Sequence, residues 1–322
     1  MGDESKFPDS GAGLAFLFPG QGSQSVGMGK DLFDNFGAAR EVFEEADEAL
    51  GFSLSEMCFS GTEEDLALTA NTQPAILTTS IAAFRAMKSE GFPSPDFVAG
   101  HSLGEYSALV AAGSLSFSDA VQAVRKRGTY MQEAVPVGVG AMAAIIGLPL
   151  ETVEIACAEA AEGEICSPAN INSPAQIVIA GNSAAVDRAI ELLKERGAKR
   201  AIRLNVSAPF HCALMKPAQD RLAADLENVG FADLEFPLVE NVSAEPNSSG
   251  ERARDALITQ VSSPVRWAPS METLLAEDVT AFVEVGSGKV LAGLLRQINR
   301  DVICLNVESA DSLRKSFESL MS

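Results

Sequence analysis

Five consecutive residues, Gly100-His101-Ser102-Leu103-Gly104, match G-x-S-x-G, the spacing of a nucleophile elbow. Small residues let the chain turn sharply from strand to helix, so the serine hydroxyl stands at a helix N-terminus. The amide dipoles there favour negative charge, and the Leu103 N–H is placed to stabilise an oxyanion. A serine nucleophile needs a base within hydrogen-bond reach. The chain has two histidines. His101 adjoins Ser102, so a tight turn sends its ring elsewhere, to pack beside the site. His211, in Ser207-Ala208-Pro209-Phe210-His211, is the better base. The bland alternatives are a crowded strand–helix turn for the pentapeptide and a core or surface position for the histidine.

Two further segments bear on the same chemistry. Pro19-Gly20-Gln21-Gly22-Ser23-Gln24 fails as a dinucleotide fingerprint, because Ser25 stands where the third glycine is needed. It reads better as a loop whose Gln21 N–H is the second oxyanion donor. Gly286-Ser287-Gly288-Lys289 is not a phosphate-binding loop, since Val283 and Val290 replace the required glycine and hydroxyl residue. In the helix expected over 118–133, Arg127 falls on the apolar arc of Ala120, Val124 and Met131, while Arg125 and Lys126 point away. A guanidinium on a core-facing arc needs an anionic partner. That partner is either an internal Asp or Glu or a substrate carboxylate held bidentately.

The elements that must position these residues alternate strand and helix, which predicts α/β architecture with a largely parallel sheet. Strands are expected at Leu14–Phe18, Phe97–Gly100, 236–240, 281–285 and 302–307, with helices over 38–50, 72–90 and 118–133 and another starting near Glu105. Asn71 or Thr72 is the expected N-cap of the second helix and Ser118 that of the third. At 138–206 the texture changes to βαββαβ, the ferredoxin-like order. Its strands are expected at 140–147, 165–171, 176–181 and 199–206, and its helices at 150–161 and 182–197. The domain assignment is therefore a large hydrolase-like unit from 1–137 and 207–322, with the small unit 138–206 inserted.

Composition narrows the function classes. With 24 Lys+Arg against 44 Asp+Glu the net charge is −20, which makes nucleic acid an improbable partner. The acid excess fits either a halophilic surface or a merely soluble acidic enzyme. No apolar run reaches the roughly 20 residues that span a bilayer. The start, residues 1–13, is polar, lacks a secretory pattern and reads as a short frayed tail. Five widely spaced cysteines with no CxxC argue against a disulfide framework or thiolate zinc site and fit a reducing cytoplasm. No metal site is expected.

The stretches FLFPGQGSQ, TQPAI, GHSLGEYSAL, RKRGTYMQ, NINSPAQIVIAG, SAPFH, QVSSPVRW and EVGSGKVL, in this order, make the chain resemble the malonyl-CoA:acyl carrier protein transacylase family from about residue 13 onward. The resemblance implies transfer of a malonyl group from malonyl-CoA to the phosphopantetheine thiol of acyl carrier protein in fatty acid biosynthesis, through a malonyl-serine intermediate. It implies Ser102 as nucleophile and His211 as base. Gln260 would orient His211 through its main-chain carbonyl, which explains why no Asp need be assigned. Gln21 and Leu103 would form the oxyanion hole, and Arg127 would bind the malonyl carboxylate. Asn170 and His101 would lie beside the substrate. Phe210 matches the malonyl-selective form of the loop in related polyketide acyltransferases, although the preceding Ala-Pro departs from their His-Ala. No cofactor is implied, malonyl-CoA being a substrate, and a monomer is expected.

The carrier protein is acidic like this chain, so docking needs a local basic patch. Residues 138–206 carry eight acids and six bases, net −2, and within them 194–203 hold five bases against Glu195. The family's carrier contacts match Lys199 and Arg200, with Lys289, Arg296 and Arg300 next in line; the alternative is that the cations of 194–203 complement a helix C-terminus. Two rival functions remain at this level. A serine esterase or thioesterase shares the elbow without needing Arg127 and would hydrolyse rapidly with no thiol acceptor. A non-catalytic carrier-protein scaffold would fail to acylate.

Overall fold

A computed structural model describes residues 13–206 and 208–322. The tail reading for residues up to 12, and Ser207 of the His211 loop, lie outside the described residues. In chain order the strands are β1 (Gly13–Phe18), β2 (Phe97–Gly100), β3 (Gly140–Ile146), β4 (Cys166–Ser173), β5 (Gln176–Asn182), β6 (Arg200–Arg203), β7 (Leu238–Val239), β8 (Pro246–Asn247), β9 (Val279–Val285) and β10 (Ile303–Val307).

The larger sheet has the order β10-β9-β1-β2-β7-β8, parallel throughout except for β8. Parallel strands need helices on both faces, so they read as continuous apolar runs; the five residues Leu14–Phe18 are all buried. On one face Phe16 and Phe18 pack edge-on against Phe84. On the other, Ala15, Leu17, Ala99 and Phe282 share a core with Trp267, Met271 and Leu274. The smaller sheet is antiparallel, in the order β4-β5-β3-β6. Helices Leu150–Ala161 and Ser183–Glu195 cover it over a separate core that includes Ile145, Val153, Ile179, Val186 and Leu193. This is the expected fold class: an α/β unit with a parallel sheet, and a βαββαβ unit beside it.

Several boundaries differ from expectation. The long helix runs Thr69–Ser89 with Leu68 in the cap position, so neither Asn71 nor Thr72 is the N-cap. Both sit in its first turn and donate back to the Asp65 and Leu66 carbonyls. Pro74 lies inside this helix and cannot bond to the Ala70 carbonyl; Arg125 donates to that carbonyl instead, at 2.7 Å. Arg125 is thus half-buried rather than simply turned outward. The next helix, Phe117–Glu133, is capped by Ser116, whose hydroxyl accepts from Asp119 N, and not by Ser118. The strands expected at 199–206 and 236–240 shorten to Arg200–Arg203 and Leu238–Val239. Leu204–Val206 leave the sheet to line a cavity.

Candidate active site

Strands β1 and β2 are neighbours, with Phe18 opposite Gly100. The loops that follow them, 19–24 and 101–103, therefore lie side by side at the carboxyl edge of the sheet, where open α/β sheets place their sites. His101 N donates to the Phe18 carbonyl at 3.0 Å. Gly104 opens the helix Gly104–Ala111, and a Cβ there would lie 1.9 Å from the Phe18 carbonyl oxygen, so only glycine permits this approach. Ser102 sits at φ 52°, the strained left-handed region typical of an elbow serine.

Ser102 Oγ and His211 Nε2 are 2.7 Å apart. His211 Nδ1 is 2.9 Å from the Gln260 main-chain oxygen, which can only accept. The Nδ1 proton is thereby fixed, and Nε2 presents its lone pair to the serine hydroxyl. Burial, then the nearby charge of Arg127, depresses His211 to about 3, against the pull of the Gln260 carbonyl. The imidazole is neutral at physiological pH, the form a base requires. Neither the Leu103 N–H nor the Gln21 N–H has an acceptor among the described residues, and both residues line the cavity.

Arg127 is 2% exposed. Its helix reaches the site because Gly128 packs against the Thr69 carbonyl, where a Cβ would come within 2.6 Å. Nη1 donates to Gln73 Oε1 at 2.8 Å; Nη2 donates to Gln260 Oε1 at 2.8 Å and to Ser102 Oγ at 3.1 Å. The Tyr106 ring lies 5.6 Å away. Every hydrogen-bond partner of the guanidinium among the described residues is neutral, which removes an ion pair with any of them as its explanation. Glu105 is linked only indirectly, through Gln260 Nε2, which donates to its Oε2 at 2.5 Å. Burial pushes the Glu105 carboxyl up to about 8, chiefly against the Gln260 hydrogen bond, so it is a poor counter-charge near neutrality.

These groups open on a cavity of about 460 Å³ lined by Gln21, His101, Ser102, Leu103, Arg127, Asn170, Phe210 and His211. His101 turns from Ser102 toward Asn172 Oδ1, at 2.8 Å, and stacks obliquely on Trp267 with 5.5 Å between ring centres. Asn170 Oδ1 is buried without a hydrogen-bond partner among the described residues. Of the basic stretch, Lys194, Arg196 and Arg203 pair with Glu191, Glu159 and Asp187. Lys199 and Arg200 are exposed with no ion pair among the described residues, just before the cavity-lining Leu204–Val206. Arg296 is exposed on the helix Val290–Ile298, which sends Leu291 and Leu294 into the cavity.

A family model described as "Acyl transferase domain" matches residues 15–313. The malonyl CoA-acyl carrier protein transacylase of Bacillus subtilis (strain 168) is 50% identical over 308 residues, covering 95% of this chain and 97% of the relative. The chain belongs to the malonyl CoA-acyl carrier protein transacylase family. Its Escherichia coli (strain K12) member is 51% identical over 285 residues, 88% of this chain and 92% of the relative. Among solved structures, the Coxiella burnetii transacylase superposes with a TM-score of 0.95 at 43% identity, covering 97% of this chain and 99% of the other. A malonyl-transacylase in complex with a type II PKS acyl-carrier protein gives 0.93 at 46% identity, covering 96% and 100%.

Gln73, Glu105, Asn172, Asn241 and Trp267 also build the site, and no motif in the sequence assigns them a role there. Gln73 lies in TQPAI, and Glu105 is a lone carboxylate opening the apolar run YSALVAAG. Asn241 follows the short β7, at the sheet edge where sites collect. Asn172 and Trp267 carry no signal separable from ordinary packing.

Proposed function

We propose that Ser102 carries a malonyl group between coenzyme A and the phosphopantetheine thiol of acyl carrier protein. The chain is an acyltransferase of the malonyl type, and what supports these residue roles is Arg127. A buried guanidinium held by neutral side chains, 3.1 Å from the serine oxygen, is short of one anion. The carboxylate of a malonyl group on Ser102 supplies it.

In the first half-reaction His211 takes the Ser102 proton as Oγ attacks the thioester carbonyl. The Leu103 and Gln21 N–H groups receive the developing oxyanion, a donor of this kind being worth about 3 kcal/mol. The tetrahedral intermediate collapses, the C–S bond breaks, and His211 returns the proton to the coenzyme A sulfur. In the second half-reaction His211 takes the proton of the carrier thiol, whose sulfur attacks the serine ester. The proton then passes to Ser102 Oγ as the acyl–oxygen bond breaks. Gln260 serves twice: its main-chain oxygen orients His211 and its side-chain oxygen holds Arg127.

The carrier protein docks against Lys199, Arg200 and Arg296, exposed cations near the cavity that have no ion pair among the described residues. Asn170, His101 and Phe210 line the acyl and pantetheine path. The enzyme works as a cytoplasmic monomer and without a cofactor. Among the described residues no helix is long and apolar enough to cross a membrane. The test is intact mass after incubation with malonyl-CoA and, separately, acetyl-CoA. One added malonyl group and little or no acetyl adduct is expected; equal labelling by both would overturn the role of Arg127.

A further inference from the structure

The elbow is held in part by a residue outside it. Gly100 ends β2 and the following helix begins at Gly104, so three residues make the turn, with Ser102 at φ 52°. Backbone bonds account for most of the turn's polar groups: His101 N to Phe18 O, Gly104 N to His101 O, and Glu105 N to Ser102 O. The Ser102 N–H and the Gly100 carbonyl are served by one side chain. Asn241 Oδ1 accepts from Ser102 N at 2.7 Å, and Asn241 Nδ2 donates to Gly100 O at 2.7 Å. The orientation of this amide is forced, because a peptide N–H only donates and a carbonyl only accepts.

Asn241 is itself fixed. It is fully buried, its main-chain N approaches Glu105 Oε1 at 3.4 Å, and its carbonyl accepts from Arg266 N at 2.9 Å. Gln260 Nε2 also lies 3.3 Å from its Oδ1. It stands just past β7, the parallel neighbour of β2, so the sheet delivers it beneath the turn from 139 residues away.

We propose that Asn241 is a positioning residue for the acyl transfer: its amide clamps the nucleophile elbow from Gly100 to Ser102. The clamp does two things. It holds the strained Ser102 backbone so that Oγ meets His211, and it occupies the Ser102 N–H, leaving the Leu103 N–H as the elbow's free donor to the cavity. This rests on Ser102 being the acylated nucleophile, which the mapped malonyl adduct of the wild type tests separately.

The experiment compares Asn241→Leu and Asn241→Asp with Val239→Ala, a buried change in the adjoining strand β7 that leaves the Asn241 clamp in place. Melting temperature, KM for malonyl-CoA and the single-turnover acylation rate are measured for each. Misplacement of a reacting atom by about 1 Å costs about 100-fold in rate, so Asn241→Leu is expected to acylate about 100-fold more slowly with KM nearly unchanged. Val239→Ala is expected to lose stability without that rate loss. If the Leu variant does not fold, Asn241→Asp decides. Its carboxylate sets an oxygen against the Gly100 carbonyl, whereas its protonated form both donates to Gly100 and accepts from Ser102. Its rate relative to wild type should therefore climb as pH falls. A rate loss that merely follows melting temperature, a rise in KM alone, or a variant-to-wild-type ratio flat with pH would each overturn the proposal.

Discussion

Replacing Arg127 with alanine should convert a selective enzyme into an indifferent one. The side chain is 2% exposed and, among the described residues, donates only to Gln73, Gln260 and Ser102, so an incoming carboxylate meets a guanidinium that no carboxylate among them already holds. Truncating one member of a buried, hydrogen-bonded charge pair costs about 2–5 kcal/mol. At about 3 kcal/mol, with 1.36 kcal/mol for each factor of ten, kcat/KM for malonyl-CoA falls roughly 150-fold. An acetyl group has no carboxylate and loses none of this, so the ratio of malonyl to acetyl transfer should collapse by the same factor. Arg127→Lys keeps the charge without the fork, cannot hold both Gln73 and Gln260, and should fall between. The assay is initial-rate transfer of each acyl group to the carrier thiol at subsaturating acyl-CoA, with melting temperature as the folding control. An equal proportional loss for both acyl groups would refute the carboxylate role.

Three further expectations concern charge. His211 is held at about 3 by burial and then by Arg127, so the acid limb of kcat/KM should lie well below 6.5; in Arg127→Ala, assayed with acetyl-CoA, it should move up, and a limb that stays put would contradict the coupling. Glu105 is raised from 4.5 to about 8 by burial, so the folded state keeps a proton the unfolded chain releases, and stability should fall as pH rises through that window. His211 tilts stability the other way only below 6.5, and Glu284, raised to about 7, is half-titrated at pH 7 and adds only a smaller share of the decline above it; Glu105→Gln should therefore remove the larger part of the decline of melting temperature between pH 7 and 8, and an unchanged slope would refute this. Lys199→Glu with Arg200→Glu should raise the apparent KM for the carrier protein several-fold at low salt, less at high salt, and leave acylation by malonyl-CoA near wild type; unchanged carrier kinetics would place docking elsewhere.

The parts legible in the sequence are those set by short-range rules. Phe97–Gly100 and the helix Leu150–Ala161 fall at the expected residues because an apolar run and a helical period bound them. The elbow is legible because its glycines answer a local steric need. The N-caps were misplaced by local logic as well: Ser116 and Ser118 are equivalent in type, and only the packed helix decides between them. Asn241, Gln73 and Glu105 were illegible for a different reason. Each acts through a partner brought near by the sheet or by helix packing, 139 residues away for Asn241 and Ser102 and 54 for Gln73 and Arg127. No local pattern marks a buried amide as a clamp. Arg127 lay between: its helical phase showed that it faces inward, and only the structure showed that its partners are neutral.

The central claim is that the acyl group rests on Ser102 and leaves it for a thiol. The direct measurement is to label the enzyme with malonyl-CoA, remove free coenzyme A, map the adduct, and mix the acyl-enzyme rapidly with holo acyl carrier protein. The malonyl group should map to the Ser102 peptide and appear on the carrier thiol at least as fast as steady-state turnover. Ser102→Ala should show neither adduct nor transfer. Release of free malonate faster than transfer to the carrier, or an adduct that maps to Cys212 or any other residue, would contradict the account.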